Sequence, residues 1–309
     1  MPIIDKTYGR LPVVFPDRPY ATNRMFAAYI TSYLPRDPMH RAQRLTDLHQ
    51  QLRWWRLMTD VPVHVLASGW TPSRIAADPE LARLHHHGGG VEQVRSQSIN
   101  LNRIACLEAF YASDYPWGII MDDDAILYHS PAHNSGGAFF SEMAQNPPSL
   151  YSGVDVFYPI NPQKRPGQNQ IWQKAPTLYR THHVFDAGYD LKGSLFIVRN
   201  FRLDGRAPIL PPAKFNLIGE DTLFAIEAVA NGCSVFRCGN LVLKELSGKS
   251  HFQHTPAQMQ AGNQAIAAMY ATQNLRMNTA AGRTHLLDRS AFISRYLPNA
   301  RRQVRVGKP

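Results

Sequence analysis

Three consecutive aspartates, Asp122 to Asp124, follow a short apolar run in the segment WGIIMDDD. Like charges this close resist ionising together, so the cluster needs a positive counter-charge. Aspartates at alternate positions of an extended chain, such as Asp122 and Asp124, can place both side chains on one side. Carboxylate oxygens at that spacing suit Mg²⁺ or Mn²⁺, especially where phosphate oxygens complete the shell. The alternative is an exposed acidic turn in which an aspartate caps a helix.

A second acidic pair, Glu220 and Asp221, follows Gly219 at the start of a predicted helix. A carboxylate in this position is presented to solvent or substrate, where it could act as a general base. The alternative is an ordinary helix start, because the positive end of the helix dipole stabilises acids in the first turn. Two histidines, His251 and His254, follow the apolar segment LVLKEL, and either could be a metal ligand or a surface side chain.

The elements that must position these residues alternate in type along the first half of the chain. Apolar, β-rich segments predict strands at residues 24–34, 61–70 and 117–124, and apolar periodicity predicts helices at 39–58 and 96–113. This alternation predicts an α/β fold with a mostly parallel central sheet flanked by helices. Ligands of such sheets bind beyond the carboxyl ends of the strands. The three aspartates are therefore expected at the binding edge of the sheet.

The second half of the sequence is less regular. Residues 161–190 are rich in Pro, Gly, Asn and Gln and predict long loops. A strand is predicted at 192–200, introduced by Gly193, and a helix begins at Gly219 and is followed by a further strand. A C-terminal helix is predicted at 256–274.

The order of these motifs resembles that of the GT-A class of glycosyltransferases. The resemblance runs from a strand-terminal D-D-D, through a Gly-led strand and a G-E-D helix start, to a late histidine. It implies a single domain with a Rossmann-like sheet. In that class a D-x-D motif holds a divalent metal on the diphosphate of a nucleotide sugar. The x-E-D motif supplies the base in inverting members, and a histidine often completes the metal shell.

The resemblance assigns roles to particular residues. Asp122 and Asp124 match the D-x-D metal ligands with His251 as the third ligand, although His254 remains an alternative, and Asp221 matches the base. Asp123 is expected near the ribose, and the donor is expected to be a UDP-sugar with Mn²⁺ or Mg²⁺. The residues expected to contact the nucleotide sugar are Thr31, Ser32, Ser68, Arg103, Asp122, Asp123, Gly193 and Glu220.

Three regions are predicted along the chain. Residues 1–23 form a surface segment and residues 24–254 the GT-A-like catalytic domain, with a nucleotide-sugar half (24–124) and an acceptor half (125–254). Residues 255–309 form a basic helical extension. This extension carries eight bases against one acid, a net charge of +7 within the +10 of the whole chain.

The basic extension indicates a polyanionic partner, although a solvated helix with a frayed end has the same composition. Lys164, Arg165, Trp172 and Tyr179 fit a polyanion with bases that stack. Some GT-A-like enzymes of phages, associated with base-oxidising dioxygenases, glycosylate hydroxymethylated pyrimidines in DNA. The resemblance to them implies a DNA acceptor whose target base is flipped out of the duplex.

Several other functions stay open from the sequence. Within the same class, the acceptor could be a surface polysaccharide or a lipopolysaccharide. Outside it, the acids and a histidine could serve a metal-dependent phosphohydrolase or nuclease, or the chain could be a non-catalytic nucleic-acid-binding protein.

The sequence also predicts where the chain works. No apolar run approaches the ~20 residues that span a bilayer, and the first residues lack the apolar core of a signal peptide. Three cysteines without metal-site spacing suit a reducing compartment. We therefore predict a soluble cytoplasmic protein, in the host cytoplasm if it is of phage origin, without membrane insertion.

Overall fold

A computed structural model gives the fold. It describes residues 3–5, 13–95, 98–128, 136–146, 153–160, 185–187, 195–215, 219–246, 255–269, 275–278 and 284–287. The predicted site residues Gly193 and His251, the alternative His254, and the loop residues Lys164, Arg165, Trp172 and Tyr179 lie outside these ranges.

The first part of the chain alternates strands and helices as predicted, with three additional short strands, β1, β2 and β5, and additional short helices between β4 and β5. Its strands are β1 (Ile3–Asp5), β2 (Val13–Phe15), β3 (Phe26–Tyr33), β4 (Val63–Ser68), β5 (Gly90–Val94) and β6 (Trp117–Asp122). Its helices are α1 (Pro38–Met58), α2 (Pro72–Ala77), α3 (Pro79–Ala82), a 3-10 turn (Arg83–His87) and α4 (Ile99–Tyr111).

The second part mixes short strands with helices. Its strands are β7 (Ala125–Tyr128), β8 (Val156–Ile160), β9 (Phe185–Ala187), β10 (Leu195–Arg199), β11 (Val235–Glu245), β12 (Leu275–Asn278) and β13 (Thr284–Leu287). Its helices are α5 (Gly136–Gln145), α6 (Glu220–Ala230) and α7 (Pro256–Met269).

One nine-stranded sheet organises the fold, in the order β5-β4-β3-β6-β10-β8-β11-β7 with β9 beside β11. The first four strands of this order are parallel, and β10 then pairs antiparallel with β6. Because β3 and β6 are parallel neighbours, the register sets Thr31 opposite Asp122. The last residue of β6 therefore emerges at the carboxyl edge of the parallel strands, as the sequence predicted.

Hydrophobic side chains cover both faces of this sheet. On one face α1 and α5 pack against the strands, with Trp54, Trp55 and Phe140 buried among them. On the other face α4 and α6 pack, with Phe110 and Phe224 in the core. The predicted α/β fold with helices on both faces is confirmed. The division of residues 24–254 into a donor half and an acceptor half stays a prediction.

Two of the predicted elements end earlier than expected. The C-terminal helix predicted at 256–274 ends at Met269, and β12 and β13 follow within the extension that was predicted to be helical. The strand predicted at 117–124 ends at Asp122, and the chain reverses through Asp123 and Asp124 into β7, which pairs antiparallel with β11. The charged residues thus occupy a tight turn because both flanking runs are apolar strands.

No helix within the described ranges is long and apolar enough to cross a bilayer.

Candidate active site

The turn formed by Asp122, Asp123 and Asp124, here called the acidic turn, is fixed from helix α1. The buried side-chain amide of Gln51 donates hydrogen bonds to the carbonyls of Asp122 (2.9 Å) and Ala125 (2.6 Å). Both ends of the turn are therefore attached to one side chain, which stabilises its backbone independently of the aspartate side chains.

Arg103 of α4 balances the first aspartate. Its Nη2 atom donates to Asp122 Oδ1 at 2.6 Å, and the Thr31 hydroxyl donates to the same oxygen at 3.2 Å. The Asp122 side chain is 26% exposed, the largest fraction in the acidic turn, whereas the Arg103 side chain has no exposed surface. The charge of Asp122 is thus balanced by a buried arginine, while part of its own side chain stays accessible to solvent.

Arg44 of α1 balances the other two aspartates. Its Nη2 atom lies 2.6 Å from Asp123 Oδ1, and its Nη1 atom donates to Asp124 Oδ2 at 3.1 Å. Burial raises the pKa of Asp123 to about 6, and the charge of Arg44 opposes that rise. Burial also raises the pKa of Asp124, against the lowering effect of Arg44. Two buried arginines therefore supply the counter-charge that the sequence required.

The second acidic pair opens α6 at the same edge of the sheet. Gly219, at φ +109°, precedes the helix and supplies no side-chain cap. Glu220 turns inward, where its Oε1 atom lies 3.9 Å from Arg103 Nη2. Burial, and then the charge of Asp221, raises the pKa of Glu220. Arg103 therefore lies between the two acidic motifs, which are about a hundred positions apart in the chain.

Asp221 is the second residue of α6 and follows Glu220 directly. It is only partly buried, and its Oδ1 atom accepts a hydrogen bond from the backbone N–H of Thr222 at 2.7 Å. The role of Asp221 as a general base stays a prediction.

Gly219 adopts a backbone conformation that favours glycine, and a substitution there tests its contribution to stability. Its φ of +109° is a conformation that L side chains rarely adopt, and an added Cβ would lie 3.0 Å from Ile266 Cδ1 on α7. We expect Gly219→Ala to lower the free energy of unfolding by about 2–3 kcal/mol, measured by urea titration. Gly232→Ala, at φ +76° beyond the other end of α6 and with open space around it, is the control and should cost about 1 kcal/mol. Equal losses would contradict the steric argument.

The acidic turn has oxygen ligands that suit a divalent cation. The contacts that Asp122 makes with described residues use Oδ1, and those of Asp124 use Oδ2. Asp122 Oδ2 and Asp124 Oδ1 are thus left without a partner from the described ranges. Their side chains are 26% and 14% exposed, so solvent reaches both. These donors fit Mg²⁺ or Mn²⁺. The described residues alone form no group of three metal ligands.

Several side chains that were predicted to contact the nucleotide sugar are buried. Asp123 is buried and lies beside Arg44. Arg103 is fully buried and pairs with carboxylates. Ser68 is 0% and Ser32 2% exposed, and Thr31 is nearly buried and donates to Asp122. Contacts of these residues with a nucleotide sugar stay predictions.

The structure brings Asp122 and Glu220 together through Arg103, while Asp124, in the same turn as Asp122, pairs with Arg44. It also adds two residues that the sequence reasoning missed, Arg44 and Gln51. Both lie on the buried face of α1, which also carries Leu48 and Leu52. A basic and an amide side chain seven positions apart on an apolar helix face were the available signal.

Comparison with known proteins gives the class of fold. No protein-family model matches the sequence, and no curated protein is significantly similar to it. Among solved structures, residues 1–349 of S. aureus TarS in complex with UDP-GlcNAc match with a TM-score of 0.50 and 14% identity, over 90% of this chain and 74% of that one. The chain therefore shares its fold with TarS, and the predicted GT-A-like fold is confirmed.

Two further solved structures match at lower TM-scores. The mannosyltransferase PcManGT from Pyrobaculum calidifontis, in complex with GDP-Man and Mn²⁺, matches at 0.48 and 13% identity, over 99% of this chain and 79% of that one. GalNAc-T7 with UDP, GalNAc and Mn²⁺ matches at 0.47 and 9% identity, over 77% of this chain and 48% of that one.

Proposed function

We propose that the chain is a metal-dependent, inverting glycosyltransferase that uses a nucleoside-diphosphate sugar, with a UDP-sugar as the expected donor. The observation that carries the proposal is the meeting of the two acidic motifs at Arg103. One motif offers open carboxylate oxygens, and the other offers a partly exposed carboxylate at a helix start. The fold shared with TarS, which was solved with UDP-GlcNAc, is consistent with this arrangement.

The donor side is assigned to the acidic turn. Asp122 and Asp124, with His251 as the proposed third ligand, would hold Mn²⁺ or Mg²⁺. A cation there supplies Lewis-acid stabilisation of the charge that develops on the departing diphosphate. Gly193 retains its proposed place beside the nucleotide sugar, in the segment before β10. Arg44 offsets part of the negative charge of the acidic turn, and this reduces the repulsion between the turn and phosphate oxygens.

The acceptor side is assigned to Asp221. In a single displacement, the acceptor oxygen bonds to the anomeric carbon while the bond from that carbon to the diphosphate oxygen breaks. The hydroxyl proton goes to the carboxylate of Asp221. Attack and departure take place on opposite faces of the sugar, so the anomeric configuration inverts. Glu220 is buried, whereas Asp221 is only partly buried, so we assign the base to Asp221 and not to Glu220.

The acceptor that we propose is a hydroxymethylated pyrimidine in DNA. The support is the charge of residues 255–309, where a net +7 favours a polyanion. A surface polysaccharide or a lipopolysaccharide is the alternative acceptor within the same class.

Donor binding is tested by thermal unfolding with UDP-, GDP- and ADP-sugars in Mn²⁺ or in EDTA. A donor at a hundredfold excess over its Kd stabilises the folded state by about 2.7 kcal/mol, so we expect one donor to raise Tm by several degrees in Mn²⁺ and not in EDTA. Asp122→Asn should abolish the shift, and Asp204→Asn, which removes a surface ion pair with Arg199, should retain it. An equal shift in EDTA would contradict a metal-dependent site.

Transfer is tested by incubating the chain with the binding donor and with DNA that contains or lacks hydroxymethylated pyrimidines. Mass spectrometry of the digested nucleosides should show one added hexose on the modified base alone. Transfer to a polysaccharide, with none to DNA, would overturn the acceptor and keep the enzyme class. Phosphate release without a glycosylated product would instead indicate a phosphohydrolase.

A further inference from the structure

Arg103 makes two unequal ion pairs. Its Nη2 atom lies 2.6 Å from Asp122 but 3.9 Å from Glu220, at the outer limit of an ion pair. Its Nε and Nη1 atoms have no hydrogen-bond partner among the described residues, although the side chain is fully buried. Buried donors without acceptors cost free energy. The guanidinium therefore has unused capacity for a second carboxylate oxygen.

The connection between Arg103 and α6 continues through aromatic rings. The Arg103 guanidinium carbon lies 5.8 Å from the ring centroid of Phe196 on β10, and that ring stacks on Phe224 of α6 at 4.2 Å. One turn before Arg103 on α4, the side chain of Asn100 donates to two backbone carbonyls of the segment that leads to α6. Helix α4 thus contacts the acidic turn and the approach to α6 through neighbouring side chains.

We propose that Arg103 is a positioning residue that links occupancy of the acidic turn to the placement of Asp221. This inference rests on the proposed function and deepens it. When the charge of Asp122 is shared with a bound cation and diphosphate, its attraction for Arg103 weakens. Glu220 then becomes the stronger partner, and closure of the 3.9 Å separation draws the first turn of α6 toward the acidic turn. Asp221 is the next residue and moves with it, so the base is placed when the donor is bound.

Hydrogen exchange tests this link without an activity assay. The probe is Mn²⁺ with UDP, GDP or ADP, whichever raises Tm most in the wild-type chain. We expect the probe to slow exchange in a peptide covering residues 220–226 by at least about fivefold in the wild type. In Glu220→Gln, the probe is added until calorimetry shows that the site is saturated, and at saturation the added protection should be absent.

Two further variants separate positioning from general damage to the fold. Arg103→Lys keeps the charge but not the planar fork, so the probe should no longer slow exchange in residues 220–226. The double variant Arg103→Lys/Glu220→Gln should show the same loss of added protection as either single variant. Arg206→Gln breaks a different ion pair, with Asp155 near the other end of α6, and should lower Tm but keep the added protection.

Two outcomes contradict the inference in distinguishable ways. If Glu220→Gln binds the probe and shows the same added protection as the wild type, Arg103 does not couple the two motifs. If the wild-type chain binds none of the three probes in Mn²⁺, the proposed function itself is overturned before any variant is compared.

Discussion

Replacement of Asp221 by Asn is expected to lower kcat for sugar transfer by about 10²- to 10⁴-fold, the contribution of a positioned general base. An amide has the shape of the carboxylate but does not take the acceptor proton. Its oxygen can still accept the hydrogen bond from the Thr222 N–H that Asp221 accepts at 2.7 Å. The start of α6, and with it the fold, should therefore be preserved. Transfer is measured by mass spectrometry of the product and donor affinity by calorimetry.

The donor Kd in Asp221→Asn should match that of the wild type, because the donor is held at the acidic turn. Glu227→Gln, about two turns further along the same helix, is the matched control and should transfer at the wild-type rate. Normal turnover in Asp221→Asn would remove Asp221 from the mechanism. A loss of donor binding in parallel with activity would instead place this carboxylate on the donor.

The sequence predicted the edge of the sheet at which the site lies, since that depends on local patterns. The parallel strands β3, β4 and β6 follow from apolar segments of strand length, and α1 and α4 from apolar periodicity. Parallel pairing then places Asp122 beside Thr31. The start of α6 at Glu220 was equally local, because glycine followed by two acids is typical of a helix N-terminus.

Which side chains of the site are buried and which are exposed was not predictable in the same way. The alternation of Asp122, Asp123 and Asp124 around a turn leaves the outer two partly exposed and turns the middle one toward Arg44. Its partner lies 79 positions earlier in the chain, and no local pattern joins the two. Likewise, the match of Arg103 to a nucleotide contact rested on its position along α4. Its burial beside β10 and α6 depends on tertiary packing, which a short sequence motif does not encode.

Replacement of Arg44 by Gln is expected to lower the free energy of unfolding by about 3–5 kcal/mol, the cost of removing one partner from a buried ion pair. The Asp123 side chain is 1% exposed, and Arg44 lies 2.6 Å from it and also binds Asp124. Without the guanidinium, Asp123 must either remain charged in a buried site or take up a proton. Urea unfolding at neutral pH gives the free energy, and Arg41→Gln is the control. Arg41 lies on the same helix but bonds to the backbone carbonyls of Pro35 and Arg36.

A second substitution identifies what balances the acidic turn. Asp123→Asn in the Arg44→Gln background should recover at least about half of the lost stability, because a neutral pair leaves no uncompensated buried charge. Mn²⁺ should also stabilise Arg44→Gln more than the wild type, since a cation on Asp124 replaces part of the missing charge. If Arg44→Gln costs no more than Arg41→Gln, Arg44 is not the required counter-charge. The balance of the three aspartates would then depend on a bound cation, and the turn should lose stability in EDTA.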